Sequence, residues 1–130
     1  MQDARTTARK SLEDFTVAWL AGDEDAVTRA CSPGVRWWTP LGGETDPGPT
    51  AAWAALAAVL ETTPRPIEVT ALAVSEDGSR CVLELRAAAG SPTGSATLVT
   101  SVLMVSAGMI MEGRTYADSE APIAPTARNA

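Results

Sequence analysis

The sequence predicts a single α+β domain in which helices come first and antiparallel strands follow. Three observations predict it. Apolar residues in the first part recur at helical spacing, the second half alternates between turn signals as strands do, and the helices precede most of the strands instead of interleaving with them.

Ala8, Leu12, Phe15 and Trp19 fall at steps of four, three and four residues, which sets them on one stripe of a helix from about Ala4 to Ala21. Gly22 stops that helix. Asp23 caps a second, short helix whose first turn carries Glu24 and Asp25, favourable against the dipole, and which is expected to end at Ser32-Pro33-Gly34. A strand over Val35 to Thr39 follows. Pro40 to Pro49 holds three prolines and three glycines and reads as a loop, after which Thr50 is the expected cap of a third helix through Leu60, with Trp53, Leu56 and Leu60 as its core stripe.

Beyond the breaker Thr63-Pro64-Arg65-Pro66, turn signals at Glu76-Asp77-Gly78, at Gly90 to Gly94 and at Ala107-Gly108 divide the chain into four strands of an antiparallel meander. Residues 1–118 are expected to form the domain. Residues 119–130, rich in Ala and Pro, read as a mobile tail.

Composition narrows the function classes. The 130 residues, 45% of them hydrophobic, suit one domain with a proper core. Ten basic residues stand against sixteen acidic ones, a net charge of −6, and no basic face is predicted, so nucleic acid is not the expected partner. The N-terminus lacks the apolar run of a signal peptide, and the apolar stretch from Ala51 to Leu60 falls short of the ~20 residues that span a bilayer. No membrane contact and a cytoplasmic location are expected. Cys31 and Cys81 lack metal-knuckle or redox spacing and read as buried free thiols. Histidine is absent, which removes the usual neutral-pH base, the Ser-His-Asp and Cys-His arrangements and the commonest zinc ligand. No metal or other cofactor is expected.

Several local strings, in order, resemble the nuclear-transport-factor-2-like superfamily, and within it the SnoaL-like and ketosteroid-isomerase-like members. Trp19-Leu20-Ala21-Gly22-Asp23 resembles the junction of its first two helices, Val35-Arg36-Trp37-Trp38-Thr39-Pro40 its first strand, and Gly48 the glycine before its third helix. Gly108-Met109-Ile110 through Arg114-Thr115-Tyr116-Ala117-Asp118 resembles its closing strand, so the likeness runs over residues 5–118. The resemblance implies a cone-shaped, curved antiparallel sheet packed by three N-terminal helices around a central pocket. It also implies small-molecule ligands within the cone and homodimers through the outer sheet face.

Carried over residue by residue, the resemblance is selective. Ketosteroid isomerases use a carboxylate base before the proline of the first strand, a first-helix tyrosine and a protonated aspartate on the meander; the corresponding positions hold Thr39, Phe15 and Ser101. Thr39 cannot abstract an α-proton unaided and Phe15 offers no donor, which argues against that chemistry. The limonene-epoxide-hydrolase branch uses an Asp-Arg-Asp set; its closely spaced pair aligns with Glu84 and Arg86, with the charges reversed. Its other aspartate, like the catalytic aspartate of SnoaL-type polyketide cyclases, aligns with Thr115.

The lining implied is therefore Phe15, Trp19, Trp37 and Trp53 as aromatic walls, with Ala54, Ala57 and Gly113 leaving room, and Thr39, Glu84, Arg86, Ser101 and Thr115 as polar groups. Glu84 and Arg86 share a strand face. If that face is concave, Glu84 activates water or moves a proton and Arg86 or Thr115 steadies developing negative charge. If it is convex, the two form a solvated or interface pair and Leu83 and Leu85 are core, which is the reading that hydrophobic alternation favours. Arg114, Tyr116 and Asp118 are expected on the outer face of the closing strand.

Two functional expectations stand side by side. One is a cofactor-independent enzyme of cyclase, isomerase or epoxide-hydrolase type acting on an apolar polyketide- or terpenoid-like substrate, with Glu84, Arg86, Thr39 and Thr115 as catalytic groups and Phe15, Trp19, Trp37, Trp53, Ser101 and Gly113 binding the substrate. The other is a small-molecule-binding or conformation-templating protein that uses the same cone without acid–base chemistry.

Overall fold

The structure, a computed structural model, describes residues 3–87 and 96–120. Helix α1 spans Ala4–Ala21; the Asp3 carboxylate accepts from the Thr6 amide at 2.7 Å at its start, and Gly22, with φ +72°, ends it in the left-handed conformation. Its buried face is Ala8, Leu12, Phe15, Thr16, Ala18 and Trp19, the stripe expected from spacing. Helix α2 (Glu24–Ala30) is capped by Asp23, which accepts from the Ala26 amide at 3.1 Å.

Strand β1 covers Cys31–Thr39, earlier than the expected start at Val35. Ser32-Pro33-Gly34 does not end a helix but lies inside the strand, where a register shift between Cys31 and Arg36 accommodates it with Pro33 and Gly34 exposed. The loop that follows contains a two-residue strand, β2 (Gly43–Glu44), paired antiparallel with β1. Helix α3 is Pro49–Glu61, and its N-cap is Gly48, not Thr50; the proline at the first helical position needs no amide partner, and no side chain caps this end. The buried face of α3 is Ala52, Leu56, Val59 and Leu60, leaving Trp53 half-buried on the flank instead of in the core stripe.

Strands β3 (Ile67–Val74), β4 (Arg80–Ala87), β5 (Ala96–Ser106) and β6 (Met109–Glu120) form the meander. The full sheet order is β2-β1-β6-β5-β4-β3, and β1 runs parallel to β6, so the sheet is mixed and not purely antiparallel. The parallel pairing follows from connectivity, because α3 and the meander intervene between the two strands. Ser119 and Glu120, expected in the tail, pair with Thr97 and Ala96 as the end of β6; residues 121–130 lie outside the described residues, as does the turn expected at Gly90 to Gly94.

The core lies between the helices and one sheet face. Leu83 and Leu85 on β4, Val99 and Leu103 on β5, Val35 and Trp37 on β1 meet Leu12, Phe15, Trp19 and Leu56. Cys31 and Cys81 are buried free thiols, and burial pushes the Cys31 thiol up to about 11. Among the described residues no helix is long and apolar enough to cross a membrane.

Candidate functional site

Strand alternation decides which side chains enter the cone. On β4, Cys81, Leu83, Leu85 and Ala87 are buried while Val82, Glu84 and Arg86 point the other way. The Glu84 carboxylate accepts a 2.7 Å hydrogen bond from Thr70 Oγ1, which also donates to the Glu84 carbonyl at 3.2 Å. This tie across a register shift in β3 anchors Glu84 on the outer face. Of the two faces left open for Glu84 and Arg86, the pair takes the outer one that hydrophobic alternation favours, and the catalytic role tied to the concave face is corrected: burying Leu83 and Leu85 fixes the register, and a strand cannot turn both sets of side chains inward.

Three of the polar positions do come together inside. Trp37 Nε1 donates to Thr115 Oγ1 at 2.8 Å, and Thr115 Oγ1 lies 2.8 Å from Ser101 Oγ, all three side chains being buried. Ser101 and Thr115 are direct cross-strand partners in the β5–β6 ladder, and Leu83 faces Ser101 from β4, which closes the array against apolar carbon. Every buried side-chain polar atom described has a hydrogen-bond partner. The array is neutral, so it can donate to or accept from a ligand oxygen but cannot take up a proton near neutral pH. Thr39 is buried too, but its hydroxyl accepts from the Gly42 amide at 3.4 Å and so braces the turn after β1.

The aromatic walls form a continuous stack. The Phe15 ring lies 5.6 Å from that of Trp37 at an interplanar angle of 21° and 5.7 Å from that of Trp19, within the range of favourable aromatic pairs. Trp19 Nε1 donates to the Leu56 carbonyl at 3.0 Å, tying α1 to α3. Gly113, opposite Trp37 in the β1–β6 ladder, has a positional meaning: a Cβ there would collide with the indole carbons, so its absence lets the ring lie against β6. Sequence reasoning named these residues as pocket walls; in the structure Phe15, Trp19 and Trp37 fill the cone as core. Ala54 is exposed on α3.

Trp53 stands apart from them. It lines a groove of about 450 Å³ together with Gly22, Ala57, Leu60, Glu61, Thr63 and Arg65. A second cavity, of about 400 Å³, lies where the start of α1 meets the β3–β4 and β5–β6 turns, beside Asp77 and Gly108. Both open at the periphery, unlike the central pocket expected. The groove has no local signature in the sequence because its walls come from three separate segments; its one signal is Trp53, a step off the buried stripe of α3.

The outer face carries Trp38, Arg114 and Tyr116. Trp38 and Tyr116 ring centroids are 5.2 Å apart, the Arg114 guanidinium sits 5.8 Å from the Trp38 ring centre, and its hydrogen bond with Tyr116 pushes the guanidinium further up. Arg114 and Tyr116 are exposed as expected; the side chain of Asp118 lies outside the described residues. Among the described residues no cluster of three potential ligands could hold a metal ion.

The fold, with no charged side chain buried among the described residues, defines a small α+β domain of the curved-sheet class. Residues 12–113 match the SnoaL-like domain model, and the chain belongs to that family. Among solved structures it is similar to an NTF-2 like protein of unknown function from Burkholderia xenovorans LB400, with 21% identity over 95% of this chain and 91% of that one and a TM-score of 0.72. It is also similar to an LEH-like epoxide hydrolase from M. tuberculosis, at 18% identity over 91% and 83% of the two chains with TM-score 0.67. A steroid delta-isomerase from Pseudomonas aeruginosa gives 18% identity over 86% and 80%, with TM-score 0.69. At these identities the likeness establishes the fold. A search of curated proteins finds no match to this sequence.

Proposed function

We propose that this SnoaL-like domain binds apolar small molecules and does so without acid–base turnover of them. The single observation that carries the reading is the outward Glu84, held by Thr70, behind a sheet whose described inner polar groups are the neutral set Trp37, Thr115, Ser101 and Thr39. Proton abstraction or water activation at neutral pH needs a group that can accept the proton, and hydroxyls and an indole cannot. The experiment is a titration followed by tryptophan fluorescence with flat ketones and terpenoids, with product analysis on the same samples. Saturable quenching with the ligand recovered unchanged supports the reading; absence of quenching up to the solubility limit overturns it.

Catalysis by enclosure, in which a reactive substrate is held in a near-attack conformer by weak polar contacts alone, is favoured by one specific observation. The Trp37–Thr115–Ser101 array holds three N–H and O–H hydrogens but makes two hydrogen bonds, so one hydroxyl hydrogen is uncommitted, in a fully buried array that a ligand oxygen reaches only where the surrounding core opens. A rate enhancement on a reactive epoxide that is lost in Ser101→Ala and kept in Glu84→Gln is the result that supports this second reading.

The outer sheet face supports a homodimer. Leu98, Val102 and Met104 are half-buried there, and Glu84, Arg86, Glu112 and Arg114 surround them with both signs of charge, as a self-complementary two-fold surface requires. Sedimentation should give a dimer that Met104→Asp converts to a monomer; a monomeric parent protein overturns this part.

A further inference from the structure

We propose that the groove beside Trp53 is the ligand site, and that it takes a flat, uncharged bicyclic molecule bearing an acceptor oxygen such as a ketone. The inference rests on the binding reading above and adds to it a place and a ligand class. The aromatic side chains inside the cone are fully buried and have their hydrogen bonds made: Trp19 to the Leu56 carbonyl, Trp37 to Thr115. Trp53 differs on both counts. It is half-buried at the edge of the core, and no hydrogen bond from its indole N–H to another described residue is present. An indole that borders open space presents an apolar surface for a ring and an N–H donor at its edge for an oxygen.

The rest of the groove suits the same occupant. Its volume of about 450 Å³ falls in the range of small-molecule sites. Ala57 and Leu60, on the α3 face one turn and two turns beyond Trp53, supply apolar carbon, and the smallness of Ala57 is what keeps the space open. A side chain at Gly22 would meet nothing within 4 Å, so the far wall is also clear. Glu61 and Arg65 bring one charge of each sign to the rim, which favours an uncharged ligand over an anion or a cation. The hydroxyl of Thr63 is committed to the Val59 carbonyl at 2.6 Å, so the Trp53 N–H, not that hydroxyl, is the side-chain donor offered to a neutral ligand.

The test uses the full chain, labelled so that the four indole N–H groups give separate nuclear magnetic resonance signals, and 1-tetralone as probe. The signal of Trp53 should move saturably while those of Trp19 and Trp37 stay in place. Trp53→Ala should weaken binding about tenfold, and tetralin, which has the rings without the oxygen, should bind several-fold more weakly, about what one uncharged hydrogen bond contributes. Ala57→Leu, which fills the groove from the next turn of α3 and leaves Trp53 intact, should weaken binding to the same degree. Movement of the Trp37 signal with Trp53 unaffected would overturn the groove assignment and leave the binding reading standing. Movement of none of the signals up to saturating 1-tetralone would overturn both.

Discussion

Trp37 donates its indole hydrogen to Thr115 Oγ1 at 2.8 Å, between residues 78 positions apart in the chain, and with Ser101 this bond forms a fully buried polar centre in the core. It also replaces, with a neutral group, the position at which the resemblance to catalytic relatives calls for an aspartate. Structure and chemistry thus meet at one residue: Thr115 satisfies a buried donor and supplies no base.

Thr115→Val leaves the Trp37 N–H buried without an acceptor and removes a partner from Ser101. The expected loss of stability is about 1–3 kcal/mol, with Thr115→Ser losing much less, as read by urea denaturation. Equal stability of the valine variant would mean that the hydrogen bond is not formed.

Gly113→Ala forces a methyl into the Trp37 ring, which is held in place by Phe15 on its other contacts. A loss of about 1–3 kcal/mol is expected, with an altered near-ultraviolet tryptophan signal. Gly42→Ala, where an added Cβ meets nothing within 4 Å, is the control and should be close to neutral.

Much of the fold is legible in the sequence. Ala8, Leu12, Phe15 and Trp19 announced α1 because a helix buried on one face must repeat its apolar residues at that spacing, and Gly22 and Asp23 marked a stop and a cap whose chemistry is local. The start of β1 was not legible. Pro33 and Gly34 are punctuation in most contexts, and only the pairing with β6 holds them within a strand. The parallel β1–β6 contact is tertiary and has no local signature. At the site, alternation alone placed Leu83 and Leu85 inside and hence Glu84 outside, whereas alignment to catalytic relatives pulled the other way; the burial of two leucines outweighs the analogy. The groove at Trp53 depends on segments distant in sequence and was not readable.

Acid should act through the β3–β4 turn. Asp77 Oδ1 accepts from the Ser79 amide, the Ser75 hydroxyl and the Ser79 hydroxyl, and these bonds bring the carboxyl down to about 2 from an ordinary 3.8. Its folded-state value is depressed, so the stability it contributes is present above pH 3.8 and is lost as the pH falls through about 2. Asp77→Asn should flatten that part of an acid-unfolding profile; an unchanged slope between pH 4 and 2 would contradict the turn's hydrogen bonding.

Base should act through a thiol. Cys31 is raised by burial from 9.0 to about 11, so the folded state holds its proton after the unfolded chain has released it, and the stability contributed is full below pH 9 and declines as the pH rises through about 11. Cys31→Ala should remove this decline. Native protein at pH 7 should resist thiol-specific reagents, and rapid labelling of Cys31 without unfolding would contradict its burial.

Glu84→Gln is expected to change stability by less than about 1 kcal/mol, because its partner Thr70 is exposed and can hydrogen-bond an amide as it does a carboxylate. Ligand affinity should be unchanged. A large change in either would show that this carboxylate is more than an outer-face anchor.

The central claim, that the described interior offers a bound molecule no group able to act as a base near neutral pH, is tested most directly by incubating the protein with a terpene epoxide at pH 7 and following diol formation by mass spectrometry. The account predicts that the epoxide is recovered unchanged, with hydrolysis no faster than in buffer. Diol formation above the buffer rate that disappears in Glu84→Gln would contradict it.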